Sequence, residues 1–175
     1  MLGELERLHR RVDRVARKLE RRHRERLECR RGCAGCCVDD ISVFRVEAER
    51  IRRGHARLLR EGSPHPPGAC AFLDDEGGCR IYDVRPYVCR TQGLPLRWTE
   101  VGDDGAVTER RDICPLNDRA AEPLADLPRH ACWTLGPAEG RLATLQVRHG
   151  GSPPERVRLR ELFEDGSAVV VPCER

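Results

Sequence analysis

Four cysteines fall within nine residues, Cys29, Cys33, Cys36 and Cys37, in a CxxxCxxCC spacing that few folds can use except around a metal. Steps of two or three residues let one loop turn two sulfurs toward a single ion, as recurs in structural zinc sites. Gly32 and Gly35 interrupt the cluster, and glycine suits a tight loop whose amides approach a metal-bound sulfur. Cys70, Cys79, Cys89 and Cys114 follow at wider intervals, giving eight candidate ligands. The neighbours Cys36 and Cys37 diverge from the backbone and do not readily serve one tetrahedral ion together. Eight thiols divide into two four-sulfur sites, or into one site with thiols to spare, and spacing does not apportion them. Thiolate ligands suit zinc, iron or an iron–sulfur cluster equally. Cys132 and Cys173 sit in no ligand-like spacing and read as buried cysteines.

What cysteines do depends on the redox compartment. The N-terminal stretch has no uninterrupted apolar run, and nothing in the chain approaches the roughly 20 apolar residues that span a bilayer. A cytoplasmic location is therefore expected, with no membrane partner and with thiols kept reduced. Hydrophobic residues make up 39% of the chain and aromatics 4%, against 35% charged, so metal ligation is expected to supplement a modest core.

Leu2, Leu5, Leu8, Val12, Val15 and Leu19 recur at steps of three and four, which predicts an amphipathic helix over residues 1–28. This arm is basic, with twelve Lys or Arg against six Asp or Glu in residues 1–31, whereas the remainder holds twenty against twenty-three. Residues 29–40 are expected to form a loop. A second helix is predicted from Asp40 or Ser42 to about Arg60, stopped by Gly62. Residues 94–113 read as a hairpin around a Gly-Asp-Asp-Gly turn, and 137–148 as a further helix. A short apolar segment near Leu159, Leu162 and Phe163 closes the tail. The expected fold is α+β, mainly helical with short strands: a small irregular metal-stapled domain over residues 29–120, with the N-terminal helix and a C-terminal extension, 121–175, packed on it.

The stretches CRRGCAGCC, CAFLDDEGGCRIYDVRPYVCR and CPL, over residues 29–116, resemble the YkgJ-type cysteine-cluster family. That resemblance implies a domain that chelates zinc or iron. A similar domain occurs in a flagellin lysine methylase, so the resemblance admits an enzymatic role without supplying a reaction. The first step here is CxxxC, where CxxC is common in the family.

Other chemistry finds little support. The six histidines are scattered without an HExxH pairing, and His55 and His65 are the two that could replace a thiol. No GxGxxG, Walker-type or GxSxG motif is present. Arg30, Arg31, Arg80, Arg85 and Arg90 lie close to the cysteines and suit a shell that offsets thiolate charge. The functional expectation is a structural metal supporting contact with a protein partner. A redox or catalytic iron–sulfur role assisting a modification reaction is the main alternative. Nucleic-acid binding through the basic helix is a third reading and is not the expected one, because that helix also carries acidic residues.

Overall fold

In a computed structural model, residues 1–119, 122–150 and 155–166 are described. Helix α1, Leu2–Arg22, leads into an irregular stretch that carries the cysteine cluster. Strand β1 (Ser42–Phe44) runs directly into α2 (Arg45–Gly54) and α3 (Ala56–Glu61), and a long coil then reaches the four-residue helix α4, Tyr87–Arg90. Strands β2 (Leu96–Val101) and β3 (Val107–Asp112) form the hairpin, followed by β4 (Trp133–Thr134), α5 (Pro137–Gly150), β5 (Arg156–Arg158) and α6 (Glu161–Gly166). The expected small α+β architecture with an N-terminal helix is observed.

Two departures have physical causes. The second helix begins later than its apolar spacing suggests, because residues 42–44 pair antiparallel with 156–158 and Val43 opposes Val157. That pairing is non-local, so no local pattern announces β5 or the strand character of β1. The same helix breaks at His55, whose backbone leaves helical geometry after Gly54, a residue that weakens a helix interior. Helix α1 also stops at Arg22, short of residue 28, and its stripe is rotated. Ala16 is buried and Val15 is 43% exposed.

Two large apolar clusters and a smaller third hold the described fold. One gathers Val43, Ile51, Phe72, Ile81, Val157, Leu162 and neighbours, with Cys37 and Cys79 packed against it. The other seats α1 through Leu5, Leu8, Val12, Ala16 and Leu19 against Val46, Tyr87, Trp133 and Leu142. Strand β2 lies between β3 and β4, antiparallel to the first and parallel to the second. Cys132 is buried beside Leu127 and Ala131, as read from the sequence. Cys173 and the boundary between residues 120 and 121 lie outside the described residues.

Buried polar contacts fix α1 against the cysteine-bearing segment. Arg50 donates to His9 Nδ1 at 2.7 Å, which leaves His9 Nε2–H to donate to Glu47 Oε1 at 3.0 Å. The same Glu47 oxygen accepts the Tyr87 amide at 2.7 Å, at the start of α4. His9 is thereby held as its neutral tautomer. Burial pushes its pKa below the ordinary value, outweighing the opposing pull of Glu47. An unfolded chain takes up the proton near pH 6.5, at about the ordinary histidine value, and the folded chain refuses it, so stability falls as pH drops below that point. Urea midpoints at about pH 7.5 and about pH 5.5 check this: the loss on acidification is expected to shrink in His9→Gln, which has no imidazole to titrate.

A candidate metal centre

The cluster loop is two consecutive turns. The Cys33 amide bonds to the Arg30 carbonyl and the Cys37 amide to the Ala34 carbonyl, both at 2.9 Å. Gly32, at φ +87°, supplies the left-handed residue that the first turn needs. Against it lies the Asp74–Gly78 turn, closed by Asp74 and Gly78 through an amide–carbonyl bond and by the Asp74 carboxylate. Arg31 ties the two loops together by pairing with Asp74 and Glu76.

The eight predicted thiols are linked as a series of electrostatic neighbours. Cys29 lies within electrostatic reach of Cys33, Cys36 and Cys114. Cys37 lies within reach of Cys70 and Cys89, and Cys89 in turn of Cys79. Cys36 and Cys37 share a side-chain hydrogen bond, which joins the neighbours of Cys29 to those of Cys37. That bond lowers Cys36 to about 6 and raises Cys37.

Backbone contacts explain the approach of Cys70 to Cys37. The Cys70 amide donates to the Cys37 carbonyl at 2.8 Å, so the two residues meet through their main chains. Arg160, from the C-terminal segment, pairs with Asp39 and donates to the carbonyls of His65, Pro66 and Ala69, holding the 65–70 segment beside the cluster loop. Cys79 is placed by an isolated bridge with Leu73, and Cys89 by α4. Burial raises the thiols of Cys70 and Cys79 and pushes Cys89 up to about 12, with Cys70 and Cys79 adding to the last effect.

Around Cys29, two residues that spacing gives no reason to single out set the geometry. Asn117 is fully buried. Its Nδ2 donates to Cys29 Sγ at 3.4 Å and to the Gly93 carbonyl at 2.8 Å, while its Oδ1 accepts the Glu28 amide at 2.8 Å. Residue 29 is exposed overall, yet its sulfur is turned inward, and burial is the main reason that its thiol is raised. Gly93, at φ +84°, touches that sulfur so closely that a Cβ would collide with it. Gly93→Ala is accordingly expected to cost at least about 1–2 kcal/mol from the left-handed backbone alone and to turn the Cys29 thiol outward. Faster alkylation of Cys29 than in the parent chain would be the readout.

Of the five arginines near the cysteines, Arg85 is the one whose charge bears on Cys79 and Cys89, and its buried Nε has no hydrogen-bond partner among the described residues. Arg30 and Arg31 pair with carboxylates, Arg80 serves carbonyls and the Phe163 ring, and Arg90 pairs with Asp13. Among the described residues neither histidine bonds to a sulfur: His55 bonds to Asp83, while the His65 backbone is held by Ala71 and Arg160.

The donor chemistry fits a thiophilic metal. All nine described cysteines are free thiols rather than cystines. Among the described residues, however, no three Cys, His, Asp or Glu side chains are already drawn together closely enough to hold an ion. No described helix is long and apolar enough to cross a membrane. A model of the CxxCxxCC family, described as a "putative zinc- or iron-chelating domain", matches residues 28–115. No curated protein and no solved structure is detectably similar to the chain.

Proposed function

The chain belongs to the CxxCxxCC family, whose described chemistry is zinc or iron chelation, and from that premise we propose that it binds two metal ions through two cysteine quartets. Cys29, Cys33, Cys36 and Cys114 would hold one, and Cys37, Cys70, Cys79 and Cys89 the other. The observation that carries this reading is the division of the adjacent pair, with Cys36 in reach of Cys29 and Cys37 in reach of Cys70 and Cys89. Four thiolates suit a closed structural site, which leaves no open position for a substrate.

When bound, the metal supplies cross-links between segments far apart in the chain and stabilises thiolates that burial disfavours. The chain's own residues do the rest. Arg85 offsets negative charge at the second quartet, Asn117 orients the Cys29 sulfur, and Arg160 and Asp39 keep Cys70 next to Cys37. A reducing cytoplasm keeps such thiols available, and the surface so stabilised supports contact with a protein partner.

Anaerobic purification followed by metal analysis and a visible spectrum tests the reading and separates its rival. A colourless protein with two zinc ions per chain supports it. A brown protein containing acid-labile sulfide would replace it with an iron–sulfur centre on the same sulfurs. A chain that purifies metal-free under those conditions would refute both.

A further inference from the structure

Two surfaces outside the cysteine site are complementary in polarity and charge. The first is a groove of about 270 Å³ between α1 and the β4–α5 corner. Its lining includes Val12, Val15, Trp133 and Ala138 together with the exposed arginines Arg11 and Arg141. The 43% exposure of Val15 lies here, because α1 turns this one apolar position out of its own buried stripe. The volume falls below the roughly 300–1,000 Å³ usual for small-molecule pockets, and it suits a few aliphatic side chains.

The second surface is the tip of the β2–β3 hairpin. Val101 and Val107 oppose each other across the strands and are 70% and 69% exposed, the most exposed large apolar residues described. Asp103 and Asp104 form the turn between them, and both are exposed. An apolar pair with an acidic end matches an apolar trough that arginines also line. Within one chain they cannot meet. Leu96 at the base of β2 pairs with Trp133 in the groove wall, and Val101 lies five residues further along an extended strand, about 17 Å away.

We propose that the chain self-associates by inserting the Val101/Val107 hairpin tip of each copy into the Arg11/Arg141 groove of a second copy. Reciprocal exchange gives a closed twofold pair, in which Asp103 and Asp104 approach the partner's Arg11 and Arg141 and the partner's groove covers the tip valines. The contact is small, so the association is weak, with Kd on the order of micromolar. It involves none of the proposed metal ligands, and its failure leaves the metal reading untouched.

The test is sedimentation velocity of the full, metal-replete chain in reducing buffer at about 100 µM, where micromolar association would be nearly complete. The wild type is expected to sediment as a dimer, and Val101→Asp/Val107→Asp and Arg11→Glu/Arg141→Glu each as monomers with unchanged helicity and metal content. All these positions are exposed, so the fold should tolerate the changes. Combining Arg11→Glu/Arg141→Glu with Asp103→Arg/Asp104→Arg in one chain is expected to restore the dimer. A wild type that stays monomeric would overturn the proposal. So would a dimer indifferent to both double variants, and so would binding of the groove to single-stranded RNA or an acidic peptide while the chain itself remains monomeric.

Discussion

Cys36→Ser and Cys37→Ser, changed one at a time, are expected to lose different metal ions. The substitutions are adjacent, yet the proposed quartets place Cys36 with Cys29, Cys33 and Cys114, and Cys37 with Cys70, Cys79 and Cys89. Each variant should retain about half of the metal of the parent chain, and the double variant almost none. The effect on folding should be large. Structural zinc contributes roughly 10–16 kcal/mol of apparent binding free energy, comparable with the ~5–15 kcal/mol net stability of a whole domain. Loss of the second ion should be the more damaging, because Cys70 and Cys79 are part of the main apolar cluster or packed on it. If both single variants lost all metal together, one shared centre would replace the two quartets. Metal analysis with a denaturant melt on each variant distinguishes these cases.

Asp13→Asn is expected to destabilise the chain by about 3–5 kcal/mol, the range for stranding one member of a buried ion pair. Arg90 NH1 reaches both Asp13 oxygens at 2.8 Å. The arginine side chain is 4% exposed and the aspartate 21%. Two other Arg90 nitrogens already lack partners among the described residues, so removing the carboxylate charge leaves a buried guanidinium with little to offset it. Replacing both residues by apolar ones, Asp13→Leu with Arg90→Met, should recover much of the loss, since the desolvation penalty disappears with the charge. Chemical denaturation of the two single variants and the double checks the coupling. Arg90 follows Cys89 directly, so Asp13→Asn should also weaken metal retention at the second quartet.

Helix α1 was legible because its leucines and valines repeat at helical steps over five turns, and such repetition is hard to produce any other way. The one misplaced position, Val15, shows the limit: alanine carries little hydrophobic signal, so Ala16 could not be recognised as the residue that faces inward. The hairpin was legible through Gly102 to Gly105, whose turn chemistry is local. Strand β1 was not. Val43 and Val46 are three apart and mimic a helix, and the competing interaction, Val43 opposite Val157, lies more than a hundred residues away.

The site divides the same way. Cysteine identity and spacing named the candidate ligands, but the proposed division into two quartets depends on where the 65–80 segment and α4 come to rest. That placement is controlled by polar residues with no metal-like signature. Arg160, from outside the family match, grips three carbonyls beside Cys70, and Asn117, just past its end, reaches Cys29 and Gly93. Buried polar groups of this kind are specified by the partners they must satisfy, which only the assembled fold provides.

X-ray absorption at the metal edge of the anaerobically purified chain addresses the ligands themselves. The account predicts a first shell of four sulfur atoms at about 2.3 Å for zinc, with no nitrogen or oxygen component. A shell dominated by nitrogen or oxygen would contradict it, because the cysteine quartets would then not be what holds the metal.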